Sequence, residues 1–438
     1  MRRSSGHGGG GRGGVGGGVV PAASLAALLC CLVALASGAA AQRPRLPPTY
    51  KTLSGDAPLI IAQGGFSGIL PDSSQGAYAF GVLASAPDTS SWCSVQLTRD
   101  GVGICLRDIN MQNCTTVSAV YPARQKTYVI NGVQKTGWFP MDFNMSELQT
   151  VALTQAIYSR TPKFDAVQYP ILSVTDLPAI IESSPLWLNV QHNIFYKQHG
   201  LSMRKYIHSI KKHVSMNYIS SPELGFLQSI AGRVNRKTKL VFSFVNEIST
   251  DPSTNQTYDS LLRNLTFVKT IASGIMIPKS YIWPVTSDNY LLPHTSIVTE
   301  AHNAGLEVYA ADFANDRVIP YNYSYDPLEE YLSFVNSTRF SVDGVLSDHP
   351  ITASEAIGCF VNLTSTKVNH ENPLVISHNG ASGDFPDCTD LAYRNAINDG
   401  ADVIDCPIQV TSDGVLKFSL RQESSHSISL GTTLTVVL

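Results

Sequence analysis

The sequence lacks several features that would assign a function at once. None of its eight cysteines forms a C-x-x-C pair, which argues against a structural zinc site. No basic stretch is interleaved with aromatic residues and the formal net charge is −3, so nucleic acid is a poor partner. The apolar run 25–36 is short for a membrane span. With 43% hydrophobic residues, the chain can nevertheless bury a large core.

The start of the chain has the features of a secretory signal peptide. Two arginines follow the first Met, 25–36 is an apolar core rich in Leu and Ala, and 39–41 supplies three alanines for cleavage. This order predicts a signal peptide over 1–41, followed by a Pro-rich linker over 42–56. A single membrane anchor is the alternative, although the apolar core is short for one.

Sequons and cysteines agree with an extracellular location. We expect a glycosylated protein that is secreted to the extracellular space, without a direct membrane span. Seven N-x-Ser/Thr sequons follow the signal, at Asn113, Asn144, Asn255, Asn264, Asn322, Asn336 and Asn362. Six cysteines remain after position 41 and permit three disulfides. Cys93 and Cys105 lie on consecutive predicted strands, and Cys388 and Cys406 share a later segment; buried free thiols remain the alternative.

Two stretches of the chain are near-copies, about 315 residues apart. PLIIAQGGFSGILPDSSQGAYAF begins at Pro58, and PLVISHNGASGDFPDCTDLAYRN begins at Pro373. Each is followed by a strand that ends in T-x-D-G. A period of this length is a whole domain rather than a solenoid unit. The sequence therefore predicts one complete domain over 57–360 and the truncated start of a second over 373–438.

Short apolar runs alternate with helical patterns through the first domain. The predicted strands are 59–62, 94–97, 186–190, 216–219, 240–244, 274–277, 307–311 and 344–346. The predicted helices are 74–83, 175–182, 202–212, 222–231, 261–271, 294–304, 328–334 and 354–360. Eight strands that alternate with eight helices predict an α/β fold, a (β/α)8 TIM barrel. An Asn-Gly hairpin signal at 128–133 lies in a long segment, 102–172, which we interpret as an insertion after the second strand.

The copied motif resembles the start of glycerophosphodiester phosphodiesterases. The blocks GGFSG, PDSS, KSYIWP and YNYSYDP are similar to the plant two-domain, cell-wall-associated subfamily of that group. The resemblance implies a barrel that hydrolyses glycerophosphodiesters to an alcohol and glycerol 3-phosphate, in lipid and glycerol metabolism. It also implies a divalent metal, Ca²⁺ or Mg²⁺, held by carboxylates, with two histidines as acid and base.

The first domain lacks nearly all of the residues that this resemblance assigns to catalysis. At the positions of the family's His-Arg pair stand Gln63 and Gly64, and the second histidine is Arg107, followed by a retained Asp108. The metal-ligand positions hold Trp92, Ser94 and Gln191. Tryptophan cannot ligate, neutral oxygens bind a hard cation weakly, and arginine stays protonated. No catalytic or metal-binding residue can therefore be assigned with these side chains.

The second copy restores the motif in part. His378 stands at the family's catalytic histidine and Asp405 at a metal carboxylate, whereas Pro407 replaces the other. Two strands cannot close a barrel, so the second copy is not a complete catalytic domain. His378 is therefore either a catalytic residue or a solvated histidine.

Four residues of the first domain are candidates for the pocket, and the retained Asp108 is one of them. His192 is either a substitute acid or base, or a structural histidine. Asp312 and Asp348 follow the seventh and eighth predicted strands, where they either reach the pocket or cap the next loop.

Two function classes stay open from the sequence. One is the family hydrolysis, with glycerophosphodiesters as substrates and Ca²⁺ or Mg²⁺ as cofactor. The alternative is a catalytically degenerate barrel without a cofactor, which acts in cell-wall organisation or binds wall polysaccharide at the surface. Relatives of the subfamily are anchored at the plasma membrane, but the final residues here are only mildly apolar. We therefore expect a product without a lipid anchor.

Overall fold

The computed structural model describes residues 50–359 except 156, 168, 246–248 and 338, and then 374–410, 412–413, 416–418 and 432–437. Its strands are β1 Leu59–Gln63, β2 Ser90–Leu97, β3 Gly103–Cys105, β4 Lys126–Ile130, β5 Val133–Gly137, β6 Leu186–Asn189, β7 Tyr218–Ser221, β8 Lys239–Ser243, β9 Gly274–Pro278, β10 Glu307–Phe313, β11 Gly344–Ser347, β12 Ile376–His378, β13 Val403–Val410, β14 Leu416–Phe418 and β15 Thr432–Val437. The chain divides into two compact units between Val361 and Asn362.

The α-helices of the described residues are α1 Gln75–Ala84, α2 Val117–Val120, α3 Met145–Leu148, α4 Leu177–Ile181, α5 Asn193–Gln198, α6 Met203–Ile210, α7 Leu224–Ile230, α8 Tyr258–Leu262, α9 Leu265–Lys269, α10 Lys279–Ile282, α11 Ile297–Asn303, α12 Pro327–Val335, α13 Pro350–Gly358 and α14 Asp390–Asn398. Short 3₁₀ turns lie at Met111–Asn113, Pro122–Arg124, Pro140–Asp142, Pro162–Val167 and Tyr321–Tyr323. Among the residues described, no helix is both long and apolar enough to cross a membrane.

Eight parallel strands close the first unit into a barrel. The order runs β1, β11, β10, β9, β8, β7, β6, β2, and a pairing of β1 with β2 completes the ring. At the closure Ile61 pairs with Ser90 and Gln63 pairs with Trp92. The predicted (β/α)8 fold is confirmed. The strands read as nearly continuous apolar runs because both faces of each strand are covered.

Large aromatic side chains fill the barrel interior. Trp92, Trp187 and Tyr309 share this core layer with Ile61, Val241, Met276 and Leu346. The Trp187 ring stacks on Tyr218 at 4.4 Å, and its indole Nε1 donates a hydrogen bond to Ser220 Oγ at 2.8 Å. The buried polar ends are thereby satisfied, so the interior is a packed core.

The long segment after β2 forms a subdomain of its own. Its hairpin of β4 and β5 turns at Asn131 and Gly132, which have φ of 49° and 80°, as the Asn-Gly signal predicts. A separate apolar cluster, which includes Trp138 and Phe143, supports the insertion. The predicted helix 261–271 is wrong as a single helix. It breaks into α8 and α9 because the Asn264 side chain accepts from Phe267 N and starts a new helix.

The second unit is a small four-stranded sheet with one helix. β12 and β13 are parallel, as β1 and β2 are in the barrel. β14 and β15 both pair with β13 in the antiparallel direction. This arrangement reproduces the opening strands of the barrel and adds β15 at the edge of β13.

Candidate functional site

Uncharged side chains occupy the mouth of the barrel, at the C-terminal ends of the strands. Gln63 ends β1, Trp92 and Ser94 lie on β2, and Gln191 follows β6. Together with Arg107 they line a cavity of about 220 Å³. This is the end of a TIM barrel at which active sites form. The four positions that the family resemblance assigns to charged groups thus meet in one place, but without charge.

Trp92 turns a ligand position into part of the core. Its side chain is buried and packs against Trp187, with ring centroids 5.6 Å apart. Its indole Nε1 donates a hydrogen bond to Ser94 Oγ at 3.0 Å, so the polar groups at these two replaced positions are hydrogen-bonded to each other. Trp92 is therefore not available as an exposed aromatic platform.

Arg107 is held by two buried carboxylates. Its guanidinium donates two parallel hydrogen bonds to Asp348, from Nη1 at 3.1 Å and from Nη2 at 3.0 Å. Nη1 also donates to Asp72 Oδ2 at 3.2 Å. A bidentate pair of this kind fixes both position and orientation. Arg107 stands where the resemblance places a histidine, yet it is protonated and held by two carboxylates, so it cannot accept a proton.

A second arginine, Arg160, completes the network from the insertion. Its Nη2 donates to Asp348 Oδ2 at 2.7 Å, and its Nε donates to Asp316 Oδ2 at 3.0 Å. Its Nη1 donates to Ser67 O at 2.9 Å, and Gln155 Nε2 bonds the same carbonyl at 2.7 Å. The insertion is therefore tied to the loop after β1. Sequence reasoning missed Arg160, Asp316 and Gln155, because nothing local marks a partner 188 residues away.

The two carboxylates that hold Arg107 differ in their proton affinity. Burial opposes the ionisation of Asp348, but the guanidiniums of Arg107 and Arg160 outweigh it and lower the pKa of Asp348. Burial raises the pKa of Asp72, and Arg107 offsets only part of that effect. Asp348 is thus a fixed anion rather than a proton donor. Asp72 follows Pro71 just before α1, but the side chain that caps this helix is that of Ser74.

A larger cavity of about 600 Å³ opens beside the barrel mouth. It is lined by Arg107, Asp108, Lys135 and His192, and the hairpin of β4 and β5 forms one wall. Asp108 accepts hydrogen bonds from Asn110 N at 3.0 Å and from Asn113 Nδ2 at 2.7 Å. The volume lies in the range of small-molecule sites. Arg107 lines both cavities and connects them.

His192 reaches the cavity as a neutral histidine. Burial lowers its pKa to about 4, and the positive charge of Lys135 adds to the shift. Its Nδ1 is buried and has no hydrogen-bond partner among the described residues. His192 is therefore uncharged at neutral pH and can accept or donate a hydrogen bond to a ligand in the cavity.

Asp312 and Gly64 are two further positions near the barrel mouth. Asp312 lines the smaller cavity, but it is exposed and its carboxylate lies 3.8 Å from Arg317. Gly64 has a φ of 59°, and a Cβ there would lie 2.2 Å from Asp72 Oδ1. A side chain at position 64 would therefore require Asp72 to move away from Arg107.

The side chains at the barrel mouth do not fit a divalent cation. Ca²⁺ and Mg²⁺ require several oxygen ligands with negative charge. Gln63, Ser94 and Gln191 offer only neutral oxygens, and Asp348 is committed to two arginines. In the part of the chain that the structure describes, no group of three or more His, Cys, Asp or Glu side chains can hold a metal ion.

The second copy brings its two restored residues together. His378 Nδ1 lies 2.6 Å from Asp405 Oδ2, and 77% of the His378 side chain is exposed. Asn379 Nδ2 donates to Asp387 Oδ2 at 3.0 Å. Pro407 follows on the same strand and brings no ligand. A carboxylate–histidine pair can orient an imidazole for proton transfer, but no second histidine of the described residues of this unit joins it.

The cysteines divide between the two copies. Cys93 and Cys105 form a disulfide across β2 and β3. Cys388 and Cys406 are free thiols, so the expectation that they pair is wrong. The register explains the difference, because Cys406 matches Cys93, whereas the strand position that matches Cys105 is occupied by Phe418.

The sequons lie where a glycan has room in most cases. Asn113, Asn255, Asn264, Asn322 and Asn336 are exposed. Asn144 is half-buried at the start of α3, and Asn362 lies outside the described residues, as does the expected signal peptide 1–41.

Comparison with known proteins identifies plant relatives. The profile of the Glycerophosphoryl diester phosphodiesterase family matches residues 378–417, within the second copy. Glycerophosphodiester phosphodiesterase GDPDL3 of Arabidopsis thaliana is 52% identical over 401 residues, which are 91% of this chain and 52% of that protein. Glycerophosphodiester phosphodiesterase GDPDL1 of the same plant is 53% identical over 373 residues, 85% of this chain and 49% of that protein. The chain thus spans about half the length of these relatives.

A solved structure resembles the chain at lower similarity. It is a phosphodiesterase of Oleispira antarctica in complex with the product sn-glycerol-3-phosphate. The sequence identity is 16% and the TM-score is 0.45, over 70% of this chain and 98% of that one.

Proposed function

The chain belongs to the plant glycerophosphodiester phosphodiesterase-like family, and on that premise we propose that its complete barrel binds glycerophosphodiesters without hydrolysing them. The observation that carries this proposal is the bidentate pair of Arg107 with Asp348. It stands where hydrolysis requires a proton-accepting histidine. The cavity beside it keeps the size of a small-molecule site and presents Arg107 and Lys135 to a phosphate.

Hydrolysis of glycerophosphodiesters to an alcohol and glycerol 3-phosphate is the second candidate. It is supported by the pair of His378 and Asp405 and by the family profile, which matches this part of the chain. In this case the first barrel recognises the substrate class, and any turnover depends on the second copy.

One experiment on the full chain separates the two candidates. Glycerophosphocholine is added with Ca²⁺, with Mg²⁺ or with a chelator; binding is measured by calorimetry and product by release of glycerol 3-phosphate. We expect binding without product, and weaker binding in Lys135→Gln than in the matched surface variant Lys163→Gln. Chelator-sensitive turnover in the wild type would refute the binding-only function. If that turnover were lost in His378→Ala, hydrolysis would be assigned to the second copy.

We also propose that the protein is a secreted glycoprotein of the apoplast or cell wall. The order of features in 1–41 and the exposed sequons support this location. Expression in plant cells should give a mature N-terminus near Gln42 and a loss of mass after treatment with a glycosidase that removes N-linked glycans. An intact Arg2 in the mature protein would contradict it.

A further inference from the structure

One segment of the barrel has a charge balance opposite to that of the rest of the chain. Residues 197–239 contain nine Lys and Arg and a single acid, Glu223, whereas the rest of the chain has 22 Lys and Arg and 33 Asp and Glu. Glu223 is fully buried and does not neutralise the surface. The surface of this segment therefore carries an excess of positive charge, and the structure describes all of its residues.

The cations of this segment converge on a cleft between α6 and the end of α7. The cleft has a volume of about 650 Å³, and Arg204, Lys205, His208, Lys211 and Arg233 line it. Its floor is apolar, with Ile207 and Ile230 among the lining residues. A second cleft of about 350 Å³, which Lys197 lines, shares Arg204 with the first. The two clefts thus adjoin at Arg204 on the outer helices, and their linings share no residue with the cavities at the barrel mouth; together they are called the groove.

The lining arginines and lysines have no acidic partners of their own. No Lys or Arg of the first cleft forms an ion pair with any residue that the structure describes. Within 197–239, Lys239 forms an ion pair with Glu307, but Lys239 does not line this cleft. Lys211 Nζ donates to the carbonyl of Arg233 at 2.9 Å, which brings these two cations together. Surfaces that serve only solubility intersperse both signs of charge. Here the positive charge is concentrated instead.

Two of the cations lie where they destabilise their own helix. Arg204 and Lys205 occupy the first turn of α6. The N-terminus of a helix carries a partial positive charge, so a cation there is unfavourable. Neither helix stability nor ion pairing accounts for these two residues, and an anionic ligand would offset their unfavourable position.

We infer that the groove binds an extended polyanion with regularly spaced carboxylates, that is, an acidic polysaccharide. Arg204 in α6 and Lys211 at its C-terminal cap lie seven residues apart, roughly 10 Å along the axis, which suits an extended chain that carries acids at regular intervals. None of the exposed large hydrophobic residues lies in 197–239, so the groove lacks the apolar anchors of a membrane-binding surface. None of the seven sequons lies in this segment either, so no N-linked glycan is attached within it. The inference deepens the wall-polysaccharide alternative and is independent of chemistry at the barrel mouth.

The test uses the full chain and two variants of equal charge. The groove variant combines Arg204→Gln, Lys205→Gln, Lys211→Gln and Arg233→Gln. The control removes four exposed cations elsewhere through Lys163→Gln, Arg263→Gln, Arg317→Gln and Arg339→Gln. Binding of a fluorescent oligogalacturonate is measured by anisotropy at several salt concentrations, beside a methyl-esterified oligomer and vesicles that contain phosphatidylserine.

The expected result is binding of the carboxylate oligomer alone. Binding should weaken with added salt, and the groove variant should lose about tenfold or more in affinity while the control stays within about twofold. The groove variant should also melt no lower than the wild type, since it loses like-charge repulsion and two cations that oppose the dipole of α6. Equal losses in both variants, or no binding by the wild type, would overturn the inference. Binding to the vesicles but not to the oligomer would replace the polysaccharide with a membrane surface and overturn it as well. Affinity for glycerophosphocholine should be unchanged in the groove variant, so failure here is distinct from failure at the barrel mouth.

Discussion

Replacing Arg107 by methionine tests whether the arginine is the structural element that the geometry indicates. Methionine keeps much of the side-chain volume and removes the charge. Asp348 and Asp72 are 2% and 7% exposed. After the change, Asp348 still accepts a hydrogen bond from Arg160, whereas Asp72 loses the hydrogen bond from Arg107. The variant therefore leaves negative charge in a buried site with incomplete compensation.

Removal of one partner of a buried pair costs about 3–5 kcal/mol, and we expect the low end of this range because Arg160 remains. For a domain of about 300 residues, a loss of about 3 kcal/mol lowers the melting temperature by about 5 °C. The control is Arg263→Met, which breaks an exposed i,i+4 pair with Asp259 and should cost less than about 1 kcal/mol.

The pH dependence gives a second readout of Arg107→Met. In the wild type, the lowered pKa of Asp348 makes a contribution to stability that is present above the ordinary aspartate pKa and is lost as the pH falls through the lowered value. In the variant, the pKa of Asp72, which burial already raises, should rise further, so protonation relieves the uncompensated charge. The gap between wild type and variant should therefore narrow from pH 7.5 to pH 5, as measured by calorimetry. A variant that melts with the wild type at both pH values would refute the structural role of Arg107.

Three further changes test local features of the fold. Burial raises the pKa of Glu223 to about 7, so ionisation of Glu223 lowers the stability of the fold as the pH rises from about 4.5 to 7. At pH 8, Glu223→Gln should therefore have a free energy of unfolding up to roughly 3 kcal/mol above that of the wild type. Near pH 4 the two proteins should melt at the same temperature. Replacing both Cys93 and Cys105 by serine opens a loop of sequence separation 12 and should cost about 3 kcal/mol in urea titrations, with a reductant reproducing the loss in the wild type alone. Gly65→Ala places a Cβ 2.3 Å from the backbone of α1, whereas at Gly101, which has nearly the same φ, a Cβ would meet no atom within 4 Å. We expect Gly65→Ala to lower the free energy of unfolding by roughly 4 kcal/mol or more, and Gly101→Ala to lower it by about 1 kcal/mol. Equal losses would show that the contact with α1 does not determine the effect.

The barrel could be predicted from the sequence because its elements are encoded locally. Each strand appears as a short apolar run, since a parallel strand is covered on both faces. The errors are also local in origin. Asn264 was included within one predicted helix, although its side chain favours a new helix start.

The candidate site was predicted only in part, because its contacts are not local. The motif singled out Gln63, Trp92, Ser94 and Gln191, and the structure brings these four side chains to one cavity. The partners that decide their chemistry come from far along the chain, as in the pair of Arg107 with Asp348, 241 residues apart. Charge in the outer groove was visible in the sequence, but an average over the whole chain concealed it. A sliding count of charge over about 40 residues reveals it.

The replaced residues form a mutually consistent set rather than independent losses. Two buried carboxylates close together repel each other, and their ionisation requires positive charge nearby. In this barrel Arg107 and Arg160 supply that charge from the chain itself, and Asp348 accepts hydrogen bonds from both. Gly64 leaves the space that Asp72 needs to reach Arg107, and Trp92 fills the interior where a ligand would otherwise require a charged side chain. Replacing Arg107 by a single histidine would therefore leave buried negative charge at Asp72 and Asp348 with incomplete compensation.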